Sequence, residues 1–149
     1  MKRMLWLVPV TLVACSEGRV DALPPASARA AVIDQQVSQM RRDTATVFGL
    51  SAEGASLEAA YEGTMLRRLR GEFLGEGGRA TETFYFDTAL FLVVRTELSY
   101  DAPSSGRGSD SVTLRFDLAA PETPAHLADS LRSEARALLA HLSADSTAR

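Results

Sequence analysis

Leu90-Phe91-Leu92-Val93-Val94-Arg95-Thr96-Glu97-Leu98-Ser99-Tyr100 decides the fold of this chain. Its even positions are apolar except Thr96, and its odd positions turn charged or polar after Val93. A period of two is the spacing of a strand whose side chains alternate between two faces. Val112-Thr113-Leu114-Arg115-Phe116-Asp117-Leu118 repeats the pattern. Glu82-Thr83-Phe84-Tyr85-Phe86-Asp87 is aromatic-rich, a composition that strands favour. Residues 65–74 fit period two through Met65, Leu69 and Phe73, and a helix through Leu66, Leu69 and Phe73. Gly71 in the interior, with Gly75-Glu76-Gly77-Gly78 following, selects the strand.

Turn signals separate these runs at Glu62-Gly63-Thr64, Gly75-Glu76-Gly77-Gly78, Asp87-Thr88-Ala89 and a long Ser/Gly-rich loop over residues 102–111. A three-residue loop Thr88-Ala89-Leu90 would set Phe86 opposite Leu92 and Phe84 opposite Val94. Across the longer loop, Glu97 would face Arg115 and Arg95 would face Asp117, two opposite-charge pairs in one register. The inner face would then carry Phe84, Phe86, Leu92, Val94, Leu114 and Phe116.

Outside the strands the period lengthens. Ile33, Val37, Met40, Thr44 and Val47 recur at three- and four-residue steps, which predicts a helix over residues 28–48 with Gly49 as its stop. Leu127, Leu131, Ala135, Leu138 and Leu142 form a second apolar stripe, predicting a helix over residues 124–142 with Thr123 as N-cap and Pro124 at the first helical position. Strands segregated from helices define an α+β fold. The expected architecture is an antiparallel meander of four to five strands, with the N-terminal and C-terminal helices packed on one face. The organisation is a single domain over residues 28–142, preceded by a flexible tether over residues 15–27 and followed by a frayed tail over residues 143–149.

The first fourteen residues belong to another category. Met1-Lys2-Arg3 is a basic start, residues 5–14 are almost wholly apolar, and a small residue precedes the only cysteine, Cys15. This is the tripartite order of an export signal. The apolar run is about half the ~20 residues that a membrane-spanning helix needs, and it contains Pro9. Leu12-Val13-Ala14-Cys15 resembles the lipobox of bacterial lipoproteins. That resemblance implies cleavage after residue 14, lipidation of Cys15 and a membrane anchor. With Ser16 next, it also implies export to the periplasmic face of the outer membrane in a two-membrane cell. The body, over residues 57–103, is similar to small envelope lipoproteins of unknown role through Phe-Tyr-Phe-Asp, Leu-Phe-Leu-Val and Tyr-Asp-Ala-Pro, a resemblance that carries no catalytic residue.

Composition narrows function by exclusion. Losing Lys2 and Arg3 with the signal takes the formal charge from −3 to −5, too acidic for a phosphate-backbone binder. Lys2 is the only lysine, which removes Schiff-base chemistry from the mature chain, and a lipidated Cys15 removes thiol chemistry and disulfides. Gly75-Glu76-Gly77-Gly78-Arg79-Ala80 matches a dinucleotide-binding spacing, but a strand follows where that mechanism needs a helix. His126 and His141 lie fifteen residues apart on one expected helix, too far to share a metal. No cofactor, metal, nucleotide or nucleic acid is expected. Glu72, Glu82 and Glu97 are the carboxylates considered for acid–base work, with nothing in the sequence to show that they converge. The expected function is a non-enzymatic binding or assembly module, acting on an envelope protein through its outer sheet face and the 102–111 loop. An inhibitor of an envelope hydrolase or a toxin-immunity lipoprotein is the alternative. The expected binding residues are Arg68, Arg70, Tyr85, Phe91, Val93 and Arg95, an apolar corner rimmed by arginine.

Overall fold

A computed structural model of the chain describes residues 23–103 and 105–147. The lipobox, Cys15 and most of the expected tether lie outside the described residues. The elements run α1 (Ala26–Gln36), a short 3-10 turn (Val37–Gln39), β1 (Arg41–Val47), β2 (Ala55–Glu62), β3 (Met65–Gly75), β4 (Gly78–Phe86), β5 (Leu90–Tyr100), β6 (Gly108–Asp117) and α2 (Ala125–Thr147). The strands form one antiparallel sheet in sequence order, β1-β2-β3-β4-β5-β6. The fold is α+β as expected, with six strands rather than four or five.

The additional strand is β1, cut from the helix expected over residues 28–48. The helix stops at Gln36, and residues 41–47 pair with β2 from Arg41 opposite Tyr61 to Val47 opposite Ala55. Thr44, Thr46 and Val47 are β-branched, and Asp43, Ala45 and Val47, on the face toward α2, alternate with exposed Thr44 and Thr46. Of the supposed stripe, only Ile33 is a buried helical residue. At the other end the long loop is shorter than expected, because β6 begins at Gly108 and only residues 101–107 remain between strands.

The largest correction concerns the two helices, which lie on opposite faces of the sheet. On one face, Leu131, Ala135, Leu138 and Leu142 of α2 pack on Ala45, Leu57, Ala59, Leu69, Phe84, Leu90 and Val93. On the other, Ala26, Ala30 and Ile33 of α1 pack on Tyr85, Phe91 and Leu92. Residues 90–94 are apolar without interruption because this part of β5 is covered on both sides, the pattern of a doubly buried strand. A bulge shapes the junction. Tyr85 pairs with Leu92 and Phe86 with Leu90, so Phe91 is the extra residue, and it shares the α1 face with Leu92.

Register differs accordingly. Phe84 lies opposite Val93 rather than Val94, and Glu97 lies opposite Val112 rather than Arg115. Phe84, Phe86 and Phe116 face α2, Leu92 and Val94 face α1, and Leu114 is exposed. The α2 stripe is as read from sequence, and the helix continues to Thr147. Thr123 does not cap it. The Thr123 hydroxyl donates to the Asp117 carbonyl at 2.7 Å, and the Pro124 carbonyl accepts from the amides of Leu127 and Ala128. In the β2–β3 turn Gly63 adopts φ 61°, a left-handed conformation that disfavours side chains.

Candidate functional site

The expected binding corner is the seat of α1. Tyr85 and Phe91 are buried beneath the helix, with the Arg29 guanidinium 3.9 Å from the centre of the Phe91 ring. Arg68 donates to Asp34 of α1 at 2.9 Å and to Glu58 of β2 at 2.8 Å, and the Tyr85 hydroxyl donates to the second Asp34 oxygen at 2.9 Å. One helix carboxylate thus fastens α1 to two strands. Burial lowers the tendency of Arg68 to hold its proton, but its bonds to Asp34 and Glu58 outweigh this and leave its pKa raised. Burial, reinforced by the bond to Asp34, raises the Tyr85 pKa, so the phenol stays protonated. Arg29 pairs with Asp87 in the β4–β5 loop, and Arg67 reaches Glu62 at 3.4 Å and Asp87 at 3.5 Å. Arg70 is exposed on this side of the sheet, whereas Val93 lies across it in the α2 core. The six expected binding residues therefore do not form one surface.

Arg95 leads to a different cluster, on the α2 face. Its Nη1 donates to Glu82 Oε1 at 2.6 Å and its Nε to Glu97 Oε1 at 2.7 Å. Glu82 sits directly opposite Arg95 in the β4–β5 ladder and opposite Gly71 in the β3–β4 ladder. Gly71 matters here, because a side chain at that position would run into the Phe73 ring, which a Cβ would meet at 2.9 Å. The missing side chain lets Phe73 form a wall of a cavity of 260 Å³ lined by Leu50, Phe73, Ala80, Glu82, Arg95 and Glu134.

Glu82 is only 3% exposed, the one buried charged side chain among the described residues. Its second oxygen, Oε2, is buried and receives no N–H or O–H donor from the described residues, and the carboxyl has a side-chain hydrogen bond with Glu134. Glu134 of α2 lies beside it. Burial, then repulsion from Glu134, pushes the Glu82 carboxyl up from its ordinary 4.5 to about 7 against the opposing pull of Arg95. Two carboxylates sharing a poorly hydrated space cannot both ionise at low cost, so a proton between them is the cheapest occupant.

Glu82 and Glu97, both considered from the sequence, do converge, and they meet on Arg95 rather than on each other. Glu72 stands apart on the α1 face, where Arg79 approaches it at 3.4 Å. Glu134 was missed by sequence reasoning. Only its place between Leu131 and Leu138 in the buried stripe hints that it skirts the core. The glycine pattern forms the β3–β4 hairpin, with β4 following as expected. His126 is exposed, and among the described residues no three His, Cys, Asp or Glu are grouped to hold a metal ion.

A third feature is the end of the sheet that neither helix covers. Residues 108–115 of β6 are exposed at every position, and Val112 and Leu114 project apolar side chains there. β6 is the last strand in the order, so its outer edge carries no partner strand among the described residues.

Fold and clusters together define an antiparallel meander clasped between two helices, with a carboxylate-lined cavity on the α2 face and an exposed edge strand at β6. No family model, curated protein or solved structure matches the chain.

Proposed function

We propose that this chain is a lipid-anchored protein of the bacterial cell envelope that works without catalysis, by binding an extended segment of another envelope protein along β6. The anchoring half rests on Leu12-Val13-Ala14-Cys15 behind a basic, apolar leader. Among the described residues no helix is long and apolar enough to cross a membrane. Stable attachment takes two or more acyl chains, since one gives only marginal binding.

The binding half rests on the bare edge of β6. Natural edge strands are commonly guarded by lysine, proline or a covering element. Residues 108–117 contain neither lysine nor proline; their charged positions are Asp110, Arg115 and Asp117, and Val112, Thr113, Leu114 and Phe116 supply β-branched and apolar side chains. A segment adding to this edge gains main-chain hydrogen bonds, and its side chains meet Val112 and Leu114. Placement agrees with this role. The N-terminal end of α1, eleven residues from Cys15, packs on Phe91 and Leu92 beside the β4–β5 loop. The exposed part of β6 starts at the opposite end of the strands, about 30 Å away at ~3.3 Å per residue.

A photo-crosslinking residue placed at 112, 113 or 114 in intact cells tests the edge, with position 105 in the preceding loop and position 136 on α2 as the comparisons. Adducts at β6 that map to one extended peptide, and that vanish in a V112K/L114K variant of unchanged unfolding midpoint, are the expected result. Adducts confined to residues 101–107 would instead mark a loop-inserting inhibitor and sink the edge reading. Mass spectrometry of the native protein tests the anchor: a lipid adduct on Cys15 as the first residue is expected, and a mature chain starting elsewhere refutes it.

A further inference from the structure

We propose that β6 pairs with β6 of a second copy of this chain, antiparallel and centred on Thr113, so that the protein on its own is a two-fold dimer. The pairing rests on the same exposed edge as the proposed function, and it closes that edge until a segment of another protein displaces the second copy. Directly opposed residues of an antiparallel pair share a face, so a two-fold axis between identical strands runs normal to the sheet and falls on a residue. With the axis at Thr113, Val112 lies opposite the second copy's Leu114, Leu114 opposite its Val112, and Ser111 opposite its Arg115. Residues 111–115 are exposed at every position, so this stretch is free to pair. An axis at Val112 would set Leu114 against Asp110, and one at Leu114 would draw in Phe116, which packs against the α2 core. Only the Thr113 axis sets exposed apolar side chains against each other and leaves no carboxylate opposite them.

The neighbouring strand fits the same register. Val112 stands opposite Glu97 and Leu114 opposite Arg95 in the β5–β6 ladder, and Arg95 and Glu97 are paired at 2.7 Å. In the dimer, Val112 and Leu114 of both copies form one apolar patch, fenced on each side by an Arg95–Glu97 pair. Val112 and Leu114 are 50% and 46% exposed in a single copy, so their burial is the gain that pairing adds to the main-chain hydrogen bonds. The symmetry also suits an anchored protein. An axis normal to the sheet leaves both copies of α1 on one face of the joined sheet and both copies of α2 on the other. Because the chain reaches Cys15 through α1, both anchors leave from the same face, as two copies in one bilayer require. Confinement to a bilayer raises the effective concentration of one copy around another, so a modest interface suffices.

Sedimentation equilibrium of the purified full chain in detergent, at micromolar concentration, should give a dimer, and V112K/L114K, with its unfolding midpoint unchanged, should raise the dissociation constant at least tenfold. Thr113→Cys should oxidise to a covalent dimer, with the wild type, whose one cysteine is Cys15, as the blank. Val112→Cys and Leu114→Cys chains should crosslink faster when mixed than either does alone, because the register sets 112 opposite 114. A chain that stays monomeric, a Thr113→Cys variant that crosslinks no faster than the wild type, or Val112→Cys crosslinking alone as fast as in the mixture would overturn the pairing. A monomer that still gives β6 adducts with one foreign peptide overturns the dimer and leaves the edge reading standing. A dimer whose β6 adducts all come from its own second copy supports the pairing and removes the foreign segment.

Discussion

Replacing Glu82 by Gln should stabilise this protein at alkaline pH, although Glu82 makes a 2.6 Å hydrogen bond with Arg95. The carboxyl titrates near 4.5 in the unfolded chain and near 7 in the folded one, raised by burial and by Glu134. Between those values the folded state holds a proton that the unfolded state has lost. Stability therefore falls as pH rises through this window, by at most ~1.4 kcal/mol per pH unit. Below the window the group adds no penalty. Above it, the fold carries a penalty of about 3 kcal/mol for ionising a carboxyl whose pKa it has raised from 4.5 to about 7. Glutamine keeps the shape and an acceptor for Arg95 but cannot ionise. Urea unfolding between pH 5 and pH 8 should show the wild type weakening through this range, while Glu82→Gln stays flatter and exceeds it at pH 8 by up to about 3 kcal/mol. A wild type whose stability holds or rises between pH 5 and pH 7.5, or a variant weaker than wild type at pH 8, would refute this account of the pair.

Three further perturbations probe the packing. Phe84 is 0% exposed at the centre of the α2 core, so Phe84→Ala should cost ~3–5 kcal/mol in urea unfolding, and Phe86→Ala, half-buried beside the bulge, should cost less; equal losses would contradict the register. Asp34→Ala leaves Tyr85 without its acceptor and Arg68 with Glu58 alone, and should lower stability by ~1–3 kcal/mol and speed amide exchange in α1; protection of α1 unchanged from wild type would rule out the latch. Reversing the charges of Glu97 and Arg115 together should recover nothing over the single reversals, because they lie on opposite faces of the sheet, and recovered stability would show that they pair after all.

Legibility followed the strength of local periodicity. β6, α2 and the part of β5 after Leu92 could be read because each keeps one period, with turn residues at its ends. The α1–β1 boundary could not, because Ile33, Val37, Met40, Thr44 and Val47 satisfy a helical spacing by coincidence, and β-branching in Thr44 and Thr46 was the weaker, overlooked signal. Register failed for a different reason. Bulges between Ala60 and Tyr61, Tyr85 and Phe86, and Ser99 and Tyr100 each shift the ladder, and a bulge of this kind leaves no mark in composition. The binding corner failed because one-sided burial was assumed for a strand with five successive apolar residues, whose second face was already promised to a helix. Arg95, Glu82 and Glu97 were each singled out, but their meeting depends on a register that places Glu82 and Arg95 opposite one another. Glu134 joins them from a helix distant in sequence.

Two cores on one sheet also divide the molecule into unequal parts. α2 buries its stripe against Leu, Ala, Val and Phe from five strands, whereas α1 buries only Ala26, Ala30 and Ile33. Local opening follows the weaker contact, so α1 is the segment that detaches while the sheet and α2 stay folded. The chain leading to the N-terminus joins the body through α1, so a pull on that chain loads Arg29–Asp87 and Asp34–Arg68 before it reaches any strand. The helix therefore acts as a mechanical fuse, and the first surface bared when it gives way is Tyr85, Phe91 and Leu92.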